Sequence, residues 1–290
     1  MPQNSVMIID CFNVYNEIEI LLLRLDYLYD TVDWFVIVES LDSHSKKVRK
    51  TSYMFEDNVV LFRKYLDKIR YLKLDYLPAA GDSGQVWPNE NFQKNCCGFG
   101  IQDLGPEDWI MFSDVDEIPR KECVLELKNN TGYHLIQFQQ HLFYYYVNLL
   151  QTQVWSGTVA VQRKRFDESF KNMMGLRSLR NAVHPLIKTF PDAGWHYSYM
   201  GGIDRISDKM SSYAESDENA PFHTAENIAQ SLETHKDLFD RKEEFCQKRL
   251  VDVFSSTQSG QSGPLLSPPN LHRVLSLFPS LFYINPRLAK

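Results

Sequence analysis

The sequence predicts an α/β fold with a mostly parallel central sheet, and two observations support this prediction. Residues 5–10 and 34–38 are short apolar runs typical of buried strands, and residues 17–28 between them have the length and spacing of a helix. Strand, helix and strand at this spacing form a βαβ unit with parallel strands. Both apolar runs also end on an acid, Asp10 and Glu39. We therefore expect these carboxylates at one edge of the sheet, where ligands bind in open α/β folds.

The rest of the chain continues to alternate between apolar runs and helical patterns. Further strands are predicted at 69–74, before 113, and at 133–138, 142–148 and 154–162, and helices at 54–62, 89–97, 121–129, 206–214, 225–234 and 243–253. We expect a single catalytic domain over residues 1–254. A Ser/Gly/Gln/Pro-rich linker follows at 255–270, and an apolar segment at 271–290 is expected to pack back onto the domain.

Composition excludes several classes of function. The chain has 290 residues, 43% of them hydrophobic and 23% charged, and a formal net charge of −6. This balance argues against a nucleic-acid partner and against a general affinity for anionic membranes. No apolar run has the length of a membrane-spanning helix. The cysteine spacing matches neither a zinc site nor a secreted disulfide framework, so we expect a soluble, cytoplasmic protein.

The most informative stretch is an apolar run over residues 109–112 that leads into the acids Asp114, Asp116 and Glu117. Clustered carboxylates repel one another unless a cation or a proton offsets their charge. The Asp-x-Asp spacing places two side chains on the same side of an extended chain, where both can face one divalent ion. The alternative is an acidic turn that caps a strand. His196 is a candidate third ligand, since imidazole suits Mn²⁺ better than Mg²⁺.

Several blocks, taken in order along the chain, resemble glycosyltransferase family 17. They are Val38-Glu39-Ser40, Asn91-Phe92-Gln93-Lys94-Asn95, Asp114-Val115-Asp116-Glu117-Ile118-Pro119, Trp155-Ser156-Gly157, Gly194-Trp195-His196-Tyr197-Ser198-Tyr199 and Lys209. The resemblance runs from about residue 8 to the C-terminus. It implies a GT-A (Rossmann-like) fold with a nucleotide-sugar half at about 1–120 and an acceptor half at about 121–254. It also implies an inverting mechanism that uses a UDP-sugar, with UDP-GlcNAc as the best single choice.

The resemblance also assigns residues to the donor and to a metal ion, Mn²⁺ or Mg²⁺. Metal ligands carried over from the family are Asp114, Asp116 and His196, and Glu117 is expected to steady their loop. The residues assigned to uracil, ribose and diphosphate are Asn16, Glu17, Glu39, Ser40, Lys94 and Lys209.

The acceptor and the catalytic base complete the predicted site. Trp155, Trp195 and Tyr197 are the predicted acceptor contacts, because aromatic rings stack on sugar faces. Inversion requires a base to take the proton of the acceptor hydroxyl, and Glu215 and Asp217 are the predicted candidates. The family carries a His and a Glu in this segment, so this chain departs from the family pattern there.

The predicted partners are a UDP-sugar donor and a glycan acceptor, and the sequence does not predict an oligomeric state. The resemblance and the missing anchor are typical of a bacterial or viral member. Two alternatives stay open at this point. One is a metal-dependent sugar-phosphate nucleotidyltransferase, which uses a similar sheet with acidic strand ends. The other is a non-catalytic carbohydrate-binding protein whose carboxylates hold a structural Ca²⁺.

Overall fold

A mixed sheet forms the centre of the protein. The computed structural model describes residues 6–78, 87–213, 219–248, 253 and 267–281, and in these residues ten strands form one sheet. The strands are β1 Ile8–Val14, β2 Trp34–Ser40, β3 Ile69–Leu74, β4 Trp109–Phe112, β5 Glu117–Pro119, β6 Leu135–Tyr144, β7 Leu149–Gln162, β8 Ile187–Phe190, β9 Gly194–Ser198 and β10 Phe245–Gln247.

Helices cover both faces of this sheet and are mostly short. They are α1 Ile18–Leu28, α2 Met54–Asp57, α3 Val59–Phe62, α4 Trp87–Asn95, α5 Lys121–Leu125, α6 Arg163–Arg165, α7 Met173–Arg177, α8 Gly202–Ser212, α9 Ala225–Thr234 and α10 Leu271–Leu277. Turns of 3₁₀ or π helix lie at Arg63–Lys68, Cys96–Ile101, Glu126–Asn129, Phe166–Phe170, Ala220–Phe222 and Pro279–Leu281. Within the described part of the chain, no helix combines the length and the apolar character needed to cross a membrane.

The strand order is β3-β2-β1-β4-β7-β6-β9-β5, with β8 beside β6 and β10 beside β7. The strands from β3 to β4 are parallel, and the sheet becomes mixed where β4 meets the antiparallel β7. Five of the nine pairings in the described residues are parallel. The prediction of an α/β fold with a mostly parallel central sheet is confirmed.

One prediction about the strand ends is wrong. The strand predicted to end at Asp10 continues to Val14, so this acid lies inside the sheet and not at its edge. The Asp10 carboxylate and the Arg24 guanidinium are both fully buried, and they form an ion pair of 2.6 Å. An acid in the middle of a strand requires such a partner, because an unpaired buried charge is strongly destabilising.

The described part of the C-terminal segment lies against α1. Three apolar side chains of α10, Leu271, Val274 and Leu275, are buried in the main core. Arg273 on the same helix contacts Asp26 at 2.9 Å. Most of the predicted linker at 255–270 lies outside the described residues, as do residues 282–290.

Candidate active site

The acidic loop between β4 and β5 is held from beneath by Arg24. Its Nη1 atom donates hydrogen bonds to the carbonyl oxygens of Asp114, Val115 and Glu117 at 2.8, 3.2 and 3.1 Å. The Nε and Nη2 atoms are bound to Asp10 at 2.8 and 2.6 Å. The fixed fork of N–H donors in a guanidinium suits this task, since it reaches several acceptors at once. The buried pair thus fixes the backbone that carries the Asp-x-Asp motif.

Glu117 holds the same loop from the side. It is fully buried, and its Oε2 atom accepts hydrogen bonds from the Asp114 amide at 3.0 Å and from Arg177 at 2.8 Å. Its Oε1 atom accepts from the Trp155 indole at 2.7 Å and from the second Arg177 nitrogen at 2.8 Å. All of these contacts are internal, so Glu117 positions its neighbours and does not face a ligand.

Three cations surround the two aspartates. Asp114 forms ion pairs with Lys94 at 2.8 Å and with Arg177 at 2.6 Å. Asp116 forms an ion pair with Lys209 at 3.0 Å. Burial raises the pKa of Asp114, but Arg177 and Lys94 outweigh this effect and hold the pKa well below its usual range. Burial also raises the pKa of Asp116, and Lys209 and His196 outweigh it in the same way. Both carboxylates are therefore ionised at neutral pH.

His196 is brought to this cluster by the sheet. β5 and β9 pair with Glu117 opposite His196, and the imidazole Nε2 atom lies 3.5 Å from Asp116 Oδ1. The His196 ring lies against that of Trp155, with 4.8 Å between centroids. Its buried Nδ1 atom has no hydrogen-bond partner among the described residues.

The residues present fit a metal ion through two of the three predicted ligands. Among the described residues no group of three His, Cys, Asp or Glu side chains forms a complete metal site. Asp116 and His196 lie close enough to share one ion. Asp114, the third predicted ligand, has both carboxylate oxygens in ion pairs. Mg²⁺ is commonly held by one or two protein groups together with substrate phosphates and water, so two protein ligands are sufficient.

A cavity of about 820 Å³ opens in front of the acidic loop. Among its described lining residues are five Lys or Arg side chains (Lys94, Arg177, Arg180, Lys209 and Arg241) and five Asp or Glu side chains (Glu17, Glu90, Asp114, Asp116 and Glu243). Aromatic rings form another part of the wall: Tyr144, Trp155, Tyr199, Tyr213 and Phe239. The cavity has the size of a site for a sizeable ligand, with a charged region and an aromatic region.

The structure brings most of the residues predicted to bind the donor to this cavity. Asn16, Glu17, Lys94 and Lys209 all line it. Glu17 is held by the amides of residues 15 and 16, which donate to its Oε2 atom at 3.0 and 3.1 Å.

Glu39 and Ser40 are not brought to the cavity. The Glu39 carboxylate is fully buried and accepts hydrogen bonds from Lys50 Nζ and from the Met54 amide at the start of α2. Ser40 is also buried, and its hydroxyl accepts from the Asp42 amide at 3.1 Å. Their side chains are used in the interior, so their predicted contact with uracil and ribose is wrong.

Of the three aromatic residues predicted to contact the acceptor, the structure places one at the cavity and two in the core. Trp155 lines the cavity, whereas Trp195 and Tyr197 are 0% and 1% exposed and belong to the main core. Successive side chains of a strand point to opposite faces. On β9, His196 and Ser198 therefore face the cavity, and the two aromatic residues face the core. The prediction that Trp195 and Tyr197 contact the acceptor is wrong.

The predicted catalytic bases are not described by the structure, and three arginines near the site were not predicted. Glu215 and Asp217, the predicted base candidates, lie outside the described residues. The sequence did not single out Arg177 or Arg180, and gave no role to Arg24. The only signal for the first two was the basic character of residues 172–181.

Comparisons with known proteins identify a family. A sequence model of glycosyltransferase family 17 matches residues 2–271. The beta-1,4-mannosyl-glycoprotein 4-beta-N-acetylglucosaminyltransferases of Homo sapiens, Rattus norvegicus and Mus musculus are 28%, 27% and 26% identical to this chain over 129 residues. The matched stretch is 43% of this chain and 24% of each relative, so the chain aligns with about a quarter of their length.

Solved structures show only distant similarity. HddC from Yersinia pseudotuberculosis in complex with GMP-PN has a TM-score of 0.37 at 11% identity, covering 63% of this chain and 89% of that one. A putative glucose-1-phosphate thymidylyltransferase from Bacillus anthracis has a TM-score of 0.36 at 10% identity, covering 64% of this chain and 87% of that one. Similarity at this level indicates no shared function.

Proposed function

Because the chain belongs to glycosyltransferase family 17, we propose that it is an inverting, metal-dependent glycosyltransferase. It transfers a sugar, GlcNAc in our proposal, from a UDP-sugar to a hydroxyl group of a glycan. One observation supports this most directly: Asp114 and Asp116 meet three cations and an imidazole at the wall of a large cavity. That combination suits a diphosphate together with a divalent ion.

The charge balance of the cavity supports a requirement for a metal ion. Its described lining carries five Lys or Arg and five Asp or Glu side chains, so their formal charges cancel. The diphosphate of a nucleotide-sugar adds about two negative charges to this described lining, and a divalent cation offsets them. Asp116 and His196 are the residues that hold the ion. When bound, it stabilises the negative charge that develops on the departing UDP.

The protein's own cations act on the same charge. Lys94 is almost completely buried, yet the negative charges of Asp114 and Glu90 outweigh this burial and raise its pKa above the usual value. For Lys209 too, Asp116 outweighs burial and raises the pKa. Both ammonium groups therefore stay charged at neutral pH. Fixed positive charges at the cavity wall stabilise a leaving diphosphate without any reorganisation of solvent.

The aromatic region suits the acceptor. Tyr199 packs against both Tyr144 and Phe239, with ring centroids 5.1 Å and 5.8 Å apart. All three line the cavity, as Trp155 does. Flat rings beside polar groups are typical of sites that bind sugars. In our proposal, one of the predicted carboxylates Glu215 and Asp217 takes the proton of the acceptor hydroxyl.

A cytoplasmic location is part of the proposal. The five cysteines, Cys11, Cys96, Cys97, Cys123 and Cys246, are free thiols in the structure, which is the usual state in a reducing compartment. Fluorescence microscopy of the tagged chain in its native cells tests it, and signal from a secretory compartment would contradict it.

A donor screen tests the activity. Purified protein is incubated with a panel of UDP-sugars and glycan acceptors in the presence of Mn²⁺, and released UDP is measured. We expect release from one donor, its loss with EDTA and its recovery with added Mn²⁺. Asp116→Ala should abolish transfer. The matched control is Asp103→Ala, since Asp103 is a surface acid paired with Arg70 at 2.5 Å and is not part of the cavity lining.

Other results would favour the alternatives. Pyrophosphate released from UTP and a sugar phosphate, without any use of UDP-sugars, indicates a nucleotidyltransferase. Glycan binding that survives Asp116→Ala, with no turnover of any donor, indicates a carbohydrate-binding protein.

A further inference from the structure

We propose that Arg180 binds the diphosphate of the nucleotide-sugar donor and is the cation whose charge the protein keeps available for it. This inference rests on the proposed function and goes beyond it by assigning a role to a residue that neither the motif nor the family resemblance identified. It depends on the charge, the contacts and the position of the Arg180 side chain.

Arg180 forms no ion pair with a carboxylate in the described part of the protein. Every other Lys or Arg in the described cavity lining has a carboxylate partner: Lys94 with Asp114 at 2.8 Å, Arg177 with Glu117 at 2.8 Å, Lys209 with Asp116 at 3.0 Å and Arg241 with Asp237 at 2.7 Å. Arg180 lines the same cavity, and among the described residues it has no carboxylate within ion-pair distance. A partly buried cation without a counter-ion favours the arrival of an anion.

The Arg180 side chain is nevertheless held in place. Its guanidinium carbon lies 5.0 Å from the centroid of the Trp155 ring. Trp155 is itself fixed, since its indole nitrogen donates to Glu117 at 2.7 Å. Stacking on a ring uses the face of the guanidinium and leaves its N–H groups along the edge free. Arg180 is thus oriented in advance, while its hydrogen-bond donors remain available.

Its position is next to the Asp-x-Asp site. The Arg180 amide donates to the Arg177 carbonyl at 3.1 Å, so the residue lies just beyond the end of α7. Burial and the positive charge of Arg177 lower the pKa of Arg180, while Glu117 and Asp114 act in the opposite direction. Arg180 therefore lies within electrostatic range of the acidic loop. A planar guanidinium at this point suits two phosphate oxygens at once.

Binding measurements on the full chain test the assignment. The dissociation constants of UDP and of uridine are measured with Mn²⁺ present, for the wild type, for Arg180→Gln and for Arg180→Lys. We expect UDP to bind about 10-fold or more weakly to Arg180→Gln, the loss expected for one hydrogen bond to a charged group. Uridine, which lacks the diphosphate, should bind as it does to the wild type. Arg180→Lys should recover part of the UDP affinity.

The matched control is Arg165→Gln. Arg165 lies on α6, pairs with Glu168 at 3.1 Å and is not among the cavity residues, so the same change of charge there should leave UDP binding unaltered. Equal UDP affinity of the wild type and Arg180→Gln would overturn the inference while leaving the proposed function intact. An equal loss for UDP and uridine would overturn it too, because it would show a structural role. A wild type that binds no UDP would overturn both.

Discussion

Replacing Arg24 by Met tests how the acidic loop is supported. Arg24 is fully buried, is paired with an equally buried Asp10 and donates to three carbonyl oxygens of the loop. Removing one partner of a buried ion pair costs about 3–5 kcal/mol, because the other charge remains buried without compensation. A typical domain has a total stability of only about 5–15 kcal/mol. We therefore expect the melting temperature of Arg24→Met to fall by at least about 6 °C.

A double variant separates stability from positioning. In Arg24→Met combined with Asp10→Leu, no buried charge is left, and apolar side chains in place of a buried ion pair are often neutral for stability. We expect the melting temperature to recover to within a few degrees of the wild type. The carbonyl oxygens of the loop still lack their donor, so UDP affinity should stay at least about 10-fold below that of the wild type.

Thermal unfolding and UDP titration with Mn²⁺ measure the two effects. The exposed Arg63→Met serves as a control for loss of a surface arginine and should change neither. Two results would refute the reasoning. One is a single variant that melts within about 2 °C of the wild type, which would mean that the pair is not needed for stability. The other is a double variant with full UDP affinity, which would mean that the loop does not depend on Arg24.

Three further predictions concern other parts of the fold. The Asn172 side chain caps α7 by accepting a hydrogen bond from the Gly175 amide at 2.7 Å. Asn172→Ala should lower the free energy of unfolding by about 1 kcal/mol, measured by denaturant titration, and should weaken UDP binding modestly. Trp195→Ala leaves a cavity in the core and should lower the free energy of unfolding by about 3–5 kcal/mol. Trp155→Ala should lower the melting temperature less and weaken acceptor or donor binding more. A larger loss of stability in Trp155→Ala than in Trp195→Ala would contradict this assignment. Burial raises the pKa of Asp42, but hydrogen bonds from two basic side chains and an amide outweigh it and lower the pKa to about 2. The resulting stabilisation is complete above about pH 4 and is lost as the pH falls toward 2. The melting temperature of Asp42→Asn should therefore depend less on pH between about 4 and 2 than that of the wild type.

The first half of the fold was predictable because its signals are local. The strands β1 and β2 are mainly apolar, β3 lies where its strand was predicted, and α1 begins within one residue of its predicted start. What a local pattern does not contain is the partner of each polar group. Glu39 lies next to the end of β2, close to its predicted position, yet its carboxylate is turned into the interior to accept hydrogen bonds from the amides at the start of α2. That contact depends on where the chain returns fifteen residues later, which no strand pattern encodes.

In the site, too, the local motifs were predictable from sequence and the contacts between distant residues were not. The Asp-x-Asp motif and His196 were found from sequence, and the pairing of β5 with β9 brings them together. The sequence marked the whole aromatic block around His196 as functional, although strand alternation directs every second side chain away from the cavity. Arg177 was missed because it meets Glu117 across sixty residues of chain. Its recognition requires the tertiary structure.

The loop is held almost entirely through its backbone, and this has a consequence for binding. Arg24 binds carbonyl oxygens, and Glu117 accepts the amide of Asp114. The carboxylates of Asp114 and Asp116 are therefore not what keeps the loop in shape. Asp116, which holds the ion together with His196 in our proposal, can therefore exchange its ammonium partner Lys209 for a divalent ion while the backbone stays in place. An ion pair that forms the loop itself would have to break when the donor arrives, and the free energy of binding would be reduced by that amount. Separating the residues that shape the loop from those that bind avoids this loss.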